Sequence, residues 1–232
     1  MPPNARNWLI AALNHAALPV LMPQDWPDLL SEADSEGVTV FLDYRLSSHP
    51  QSVLLPAGLL DAIKTGAKQA VLRQLPFYAG QRGIFHALDA AGIPFLVLKG
   101  AALGQWLYAS PTHRPVTDID LWFADRDAVC AAAEVLHPLG YVPAPSGGEL
   151  TTWQKAFDKS SNGHKIRIDA HWALFNSALL NNVMPFDAAV ARSQPVGMQG
   201  QMLKALSPED ALINAIGHRA LKQLSGQADT LK

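Results

Sequence analysis

The sequence has almost no cysteine and no long apolar run. Its 232 residues include one cysteine, Cys130, so a disulfide cannot form within the chain. No stretch approaches the about 20 uninterrupted apolar residues of a membrane-spanning helix, and the polar, proline-bearing start does not have the pattern of a signal peptide. We therefore expect a cytoplasmic protein with no membrane partner.

Charge of either sign is also scarce. Charged residues make up 16% of the chain, and the formal net charge is -2. Because proteins bind duplex nucleic acid mainly through lysine and arginine contacts to phosphate, this composition predicts that no duplex nucleic acid is bound. A small basic pocket for a phosphate group stays open. Hydrophobic residues make up 49% of the chain, which is ordinary for a globular protein.

The spacing of apolar residues separates a helical front part from a mixed middle part. The segments with helical character are 8–18, 26–36, 57–91, 101–108, 125–136 and the helix that opens at Ser207. The segments with strand character are 93–98, 117–123, 153–157 and 165–172. Pro76 lies inside the longest helical segment and predicts a kink or break there. This order predicts an α+β fold, with a small sheet flanked by helices.

Two aspartates stand two residues apart on a predicted strand. Because side chains alternate along a strand, Asp118 and Asp120 share one face, and Ile119 and Leu121 point into the core. Two adjacent carboxylates repel each other and are stable together mainly when a cation lies between them. Their oxygens suit Mg²⁺. The pattern is weak by itself, since two acids on a solvent-facing strand would look the same.

A predicted strand ends just before this pair, at Lys99-Gly100, and a helix begins at once. The N-terminus of a helix offers free N–H groups and a positive dipole end to an anion. Gly100 lets the backbone approach a phosphate closely, and Lys99 adds positive charge. Arg114, in the loop before the acidic pair, can bind a triphosphate through its planar guanidinium. A plain turn and an exposed loop arginine are the alternatives.

A third carboxylate, Asp169, lies on a later predicted strand, on the face opposite Ile166 and Ile168. It can complete a metal site or accept the proton of an attacking hydroxyl group. A strand-end aspartate without a function gives the same pattern. His171 shares the face of Asp169, and we expect it to orient the site through a hydrogen bond. We interpret His218, on the last helix, as structural.

Together these residues resemble the uncharacterised nucleotidyltransferase family of the DNA polymerase beta superfamily. The resemblance covers roughly residues 55–225. It rests on the order of Val97–Leu103, Tyr108, Arg114, Asp118–Leu121, Leu139–Tyr141 and Ile168–Trp172. It implies a minimal nucleotidyltransferase core with a short mixed sheet at 92–175. A helical N-terminal region at 1–91 precedes this core, and a mainly helical C-terminal region at 176–232, which we expect to be incomplete, follows it.

The resemblance also implies an activity. A nucleoside monophosphate would move from a nucleoside triphosphate, such as ATP, to a hydroxyl group of an unknown small molecule or protein, and pyrophosphate would leave. Asp118, Asp120 and Asp169 match the catalytic carboxylates that bind Mg²⁺ or Mn²⁺. Gly100 matches the glycine of the turn that receives the triphosphate.

The phosphate-binding turn departs from the wider superfamily in one respect. The usual Gly-Ser pair is Gly100-Ala101 here, so the hydroxyl group often used on a phosphate is missing. We expect Lys99 to compensate and Arg114 to assist in holding the phosphates.

Three alternatives stay open. The first is a non-catalytic nucleotide-binding or regulatory module on the same fold, because a fold does not dictate a function. The second is a transferase whose acceptor is a protein side chain. The third is a glycosyltransferase that uses an Asp-x-Asp pair, although the helical front part does not supply the longer nucleotide-binding domain that such an enzyme needs.

Overall fold

The computed structural model describes residues 3–145, 153–161, 163–175 and 177–224. These residues form eight α-helices and one seven-stranded sheet, and they divide into two compact units. The first unit contains residues 3–75 and 108–115, and the second contains 76–107 and the described residues from 116 to 224. The division expected at 1–91, 92–175 and 176–232 stays a prediction, and residues 176 and 225–232 of its last part lie outside the described residues.

The first unit is helical, as the spacing predicts. Its elements are α1 (Pro3–Leu13), α2 (Trp26–Ser35), α3 (Thr39–Ser47), the first part of α4 (Ala57–Ala90) and three short 3₁₀ turns at Pro23–Asp25, Pro50–Leu54 and Pro111–His113. Its core is formed by fully buried side chains from α1 to α4, among them Trp8, Leu9, Leu29, Leu42, Leu59 and Ile63. Each such side chain contributes about 1.5–3 kcal/mol through burial.

Two predictions for the first unit are corrected. The helix expected at 8–18 ends at Leu13, because His15 adopts a left-handed φ of 58° and the Asn14 side chain donates a hydrogen bond to the Ile10 carbonyl at 2.9 Å. The helix α4 is not broken at Pro76 and continues to Ala90, so the predicted break is wrong, whereas the predicted kink stays a prediction. The boundary between the two units falls at this proline. None of the described helices combines the length and apolar composition needed to cross a bilayer.

The second unit holds the sheet, whose strand order is β3-β4-β5-β2-β1-β7-β6. The strands are β1 (Leu96–Val97), β2 (Asp118–Trp122), β3 (Val142–Pro143), β4 (Gln154–Ser161), β5 (His164–His171), β6 (Gln194–Met198) and β7 (Gln201–Ala205). Two pairs, β2 with β5 and β1 with β7, are parallel, and the other pairs are antiparallel. The short mixed sheet and the α+β class are therefore confirmed, but the sheet has three strands more than the four expected.

Four further helices belong to the second unit: α5 (Lys99–Trp106), α6 (Arg126–Leu136), α7 (Phe186–Arg192) and α8 (Pro208–Leu224). Two of them begin where the sequence predicts. The Asp125 carboxylate accepts a hydrogen bond from Ala128 N at 2.8 Å and caps α6. The Ser207 hydroxyl accepts one from Asp210 N at 3.2 Å and caps α8. Such caps contribute about 1 kcal/mol each.

The two faces of the sheet are covered differently. One face packs Ile119, Leu121 and Ile168, all fully buried, against the end of α4 and against α6. The opposite face carries a smaller apolar cluster that includes Leu98 and Phe175. The second face also carries the polar residues of β2 and β5, so the candidate site lies on this side of the sheet.

Two glycines in helices provide a test of this packing. A Cβ added to Gly217 in α8 would collide with Cε1 of the buried Phe175 ring, whereas one added to Gly83 in α4 would meet nothing within 4 Å. Alanine favours a helix over glycine by about 1 kcal/mol, but overpacking a buried ring costs about 1–3 kcal/mol. We expect Gly217→Ala to lower the free energy of unfolding and Gly83→Ala to raise it, as measured by urea denaturation. A stabilising Gly217→Ala would contradict this packing.

Candidate active site

The register of two parallel strands brings three carboxylates together. Asp120 on β2 stands directly beside Asp169 on β5, and Asp118 stands beside Arg167. Because side chains of paired strands alternate in step, Asp118, Asp120 and Asp169 share the face of the sheet that is opposite the main core. The three predicted acids are thus neighbours on one face.

Asp120 is the most buried of the three acids and has two close partners. Its Oδ1 accepts hydrogen bonds from Lys99 Nζ at 2.6 Å and from His171 Nε2 at 2.9 Å. Burial by itself would raise the pKa of Asp120, but the hydrogen bonds and charges of His171 and Lys99 hold this pKa far below its ordinary value. Asp120 is therefore ionised at neutral pH, and His171 makes the orienting hydrogen bond that the sequence predicts.

The other two acids behave in the opposite way. Burial raises the pKa of Asp118, and the negative charge of Asp120 raises it further. Burial and the charge of Asp120 likewise raise the pKa of Asp169. These shifts show that the folded chain resists ionisation of both carboxyl groups when no further cation is present.

The residues predicted to hold phosphate lie at the start of α5. Lys99 is its first residue and directs its ammonium group to Asp120, not into open space. Gly100 follows, and a Cβ there would lie 2.8 Å from Val116 Cγ1. The close approach that requires glycine in this structure is therefore to Val116. Whether Lys99 and Gly100 also contact a phosphate stays a prediction.

Arg114 belongs to the first unit and follows the 3₁₀ turn Pro111–His113. With Phe41, Tyr108 and His113 it lines a cavity of about 330 Å³ within that unit. The Tyr108 and Phe41 rings meet edge to face, with centroids 5.5 Å apart, so Tyr108 has a packing role. The phosphate contact expected of Arg114 stays a prediction.

The donor atoms of the site fit a hard cation, although the described residues contain no ready-made group of three or more His, Cys, Asp or Glu side chains in a metal-binding arrangement. Asp169 Oδ1 is buried and has no hydrogen-bond partner. Thr117 Oγ1 reaches Asp118 Oδ1 at 3.5 Å, a long hydrogen bond. Carboxylate oxygens with so few donors among the described residues are suitable ligands for Mg²⁺ or Mn²⁺.

His218, which the sequence analysis interprets as structural, lies near the site. Its ring contacts Phe175 at 5.8 Å between centroids, and its Nε2 is buried without a hydrogen-bond partner. Burial, followed by the charges of Lys99 and His171, lowers its pKa to about 4. A neutral imidazole with an unused nitrogen is therefore within electrostatic range of Lys99 and His171. Nothing in the local sequence of α8 indicates this proximity.

A family model matches most of the chain. Residues 22–231 match the family model described as uncharacterised nucleotidyltransferase. The chain belongs to this family. A search of the curated proteins gives no match.

Solved structures similar to this family member share little sequence with it. A crystal structure from Thermotoga maritima, described as that of a candidate nucleotidyltransferase, has 13% identity and a TM-score of 0.43. The match covers 63% of this chain and 86% of that chain. An antigenic nucleotidyltransferase-like protein from Paracoccidioides brasiliensis has 18% identity and a TM-score of 0.44, covering 63% and 68%. ANT(2")-Ia in complex with adenylyl-2"-tobramycin has 16% identity and a TM-score of 0.42, covering 66% and 78%.

The raised pKa of Asp169 leads to a prediction about the thermal stability of the metal-free chain. An acid whose pKa is raised by folding destabilises the folded state above that pKa, and the destabilisation disappears as the pH falls through it. We therefore expect Asp169→Asn to raise the melting temperature of the metal-free nucleotidyltransferase by roughly 2–4 °C at pH 7.5, with a smaller gain at pH 5. Differential scanning fluorimetry in EDTA measures both values.

Asp158 on β4 is the matched control. Arg167 Nε and Nη2 donate to its two oxygens at 2.8 and 2.9 Å, and these hydrogen bonds lower the pKa of Asp158. Its contribution to stability is present above the unfolded pKa and is lost as the pH falls through the folded pKa. Asp158→Asn should therefore lower the melting temperature at pH 7.5. Equal shifts of the same sign in both variants would contradict the electrostatic description.

Proposed function

We propose that this nucleotidyltransferase moves a nucleoside monophosphate from a nucleoside triphosphate to a hydroxyl group and that Asp118, Asp120 and Asp169 are its catalytic carboxylates. The observation that carries the proposal is the parallel register of β2 and β5, which puts the three acids on one face of the sheet. The family supports the class of reaction, and this register supports the choice of residues.

The cation-binding part of the proposal rests on the two acids that have few hydrogen-bond donors among the described residues. Asp169 Oδ1 is buried with no hydrogen bond, and the pKa of Asp118 is raised by burial. We assign the binding of Mg²⁺ or Mn²⁺ to these carboxylates together with Asp120. When bound, such an ion supplies positive charge that stabilises the phosphoryl group and the departing pyrophosphate.

The chemical step requires a base for the acceptor. The acceptor oxygen forms a bond to the α-phosphorus, the bond from that phosphorus to the bridging oxygen breaks, and pyrophosphate carries away the electron pair. We assign to Asp169 the role of the base that accepts the proton of the acceptor hydroxyl group. Asp169 stands beside Asp120 in the register of β2 and β5, so its carboxylate is at the cluster and can accept this proton.

The triphosphate is assigned to the start of α5. The helix has no side-chain cap at Leu98, so its first N–H groups are suitable donors to phosphate oxygens, and the helix dipole favours the negative charge. In this proposal Gly100 provides close backbone approach and Lys99 adds positive charge. The phosphate contact of Arg114, which belongs to the first unit, stays a separate prediction. ATP is the first triphosphate to test, the acceptor is a small molecule or a protein, and the expected location is the cytoplasm.

One observation favours a second function. Lys99 already neutralises Asp120, and a carboxylate paired with an ammonium group is less available to a metal ion. A non-catalytic nucleotide-binding module would tolerate this pairing. The two functions differ in whether pyrophosphate is ever released.

The catalytic proposal is tested by single Asp→Asn substitutions. Mg²⁺ together with ATP, GTP, CTP or UTP should raise the melting temperature of the wild-type chain, and Asp118→Asn should abolish the part that depends on the metal. Asp169→Asn should lower pyrophosphate release about 10²–10⁴-fold, the usual contribution of a general base. Release is measured enzymatically, with a metabolite extract supplying the acceptor.

Asp125→Asn is the matched control, because asparagine caps a helix as well as aspartate does and Asp125 caps α6 outside the carboxylate cluster. It should leave both measurements unchanged. If a triphosphate stabilises wild type and Asp118→Asn equally and no pyrophosphate is released by either, the catalytic proposal fails and the nucleotide-binding function is favoured.

A further inference from the structure

Lys99 and His171 together saturate one oxygen of the carboxylate cluster. Lys99 Nζ lies 2.6 Å and His171 Nε2 lies 2.9 Å from the same atom, Asp120 Oδ1. A carboxylate oxygen has about two lone-pair sites, so these two donors occupy both. Asp120 is 4% exposed, and water therefore has little access to compete. This oxygen has no lone pair left for a metal ion while Lys99 stays in place.

The neighbouring acids are in the opposite state. Asp169 Oδ1 is buried with no donor, and Asp118 has only a distant partner in Thr117, at 3.5 Å, among the hydrogen bonds of the described residues. Of these oxygens, the ones without a close donor belong to Asp118 and Asp169. Lys99 and His171 satisfy Oδ1 of the third acid, Asp120.

The backbone at Lys99 indicates that its side chain has a specific use. Its φ is 47°, in the left-handed region, where a residue with a Cβ is less stable than glycine by about 1–2 kcal/mol. Glycine would adopt this conformation without that cost. A lysine at such a position, with its charge 2.6 Å from a buried carboxylate, is explained by the charge that it brings to the cluster.

Lys99 also reduces the negative charge of the cluster. Its ammonium group is 2.6 Å from Asp120 Oδ1 and offsets one of the three carboxylate charges. A second divalent ion would therefore meet less negative charge in the wild-type chain than in a chain without this ammonium group. Without Lys99 the cluster would attract the second ion strongly, because charges at low dielectric interact over several ångströms.

We propose that the Lys99 ammonium group takes the place of a second divalent cation at the carboxylate cluster, so that the wild-type chain binds one divalent ion on the Asp118–Asp169 side. This inference rests on one part of the proposed function, the binding of a divalent cation by the carboxylate cluster. If it holds, Lys99 determines how many divalent ions the cluster binds.

Titration of the full-length chain with Mn²⁺, followed by the electron paramagnetic resonance signal of free Mn²⁺, counts the bound ions. The wild-type chain should bind one Mn²⁺, and Lys99→Met, which keeps the length without the charge, should bind two. Lys99→Gly should also bind two, and its fit to the left-handed backbone guards against a folding defect. Lys99→Arg, which keeps the charge, should bind one.

The affinity for Mn²⁺ in two aspartate variants, measured in the same titration, gives independent information on where the ion binds. Asp169→Asn should weaken binding of the single ion at least about tenfold, as expected when a group supporting a metal site is lost. Asp120→Asn should weaken it less, because Lys99 already occupies that acid. An equal or larger loss in Asp120→Asn would overturn the assignment of the ion to the Asp118–Asp169 side.

The remaining outcomes separate this inference from the proposed function. Two ions in the wild-type chain, or one ion in both Lys99→Met and Lys99→Gly, would overturn the role of Lys99 and leave the proposed transfer reaction intact. No bound Mn²⁺ in any variant would overturn the inference and the metal-binding part of the proposed function together. Pyrophosphate release is measured separately.

Discussion

The parallel pairing of β2 with β5 is the contact on which the candidate site depends. Asp120 stands beside Asp169 because Ile119 stands beside Ile168 and Leu121 beside Ala170. These apolar neighbours are fully buried on the other face. If either strand slipped by one residue, its acidic side chains would point into the core and its apolar side chains would point to the opposite face of the sheet. The hydrophobic core thus fixes the register, and the register fixes the spacing of the acids.

The same arrangement makes the site unstable by itself. A buried carboxylate is stable when donors or a cation compensate the loss of water. Asp120 receives that compensation from Lys99 and His171, and its pKa falls. Asp118 and Asp169 receive less, and burial raises the pKa of each. The folded chain therefore stores unfavourable electrostatic energy at two acids, which a bound cation would relieve.

The features that local sequence encodes were the predictable ones. The pattern of apolar and polar residues predicted β2 and β5. One capping side chain predicted the start of α6, and another predicted the start of α8. The hairpin of β6 and β7 was missed although Val196, Met198, Leu203 and Ala205 alternate as buried residues, since its turn is Gln199-Gly200 and not a common pair such as Asn-Gly. The partner of Lys99 could not be predicted, because a flexible four-carbon side chain can reach either a phosphate or an acid.

The position of Lys99 changes how a triphosphate would have to be held. If its ammonium group stays on Asp120, the charge beside the Gly100-Ala101 turn is already engaged, and this turn has no hydroxyl group to offer instead. Backbone N–H groups at the start of α5 are then the donors that remain at this turn. Such donors recognise the shape and charge of a phosphate chain but not a base, so selection among nucleotides must come from side chains away from this turn.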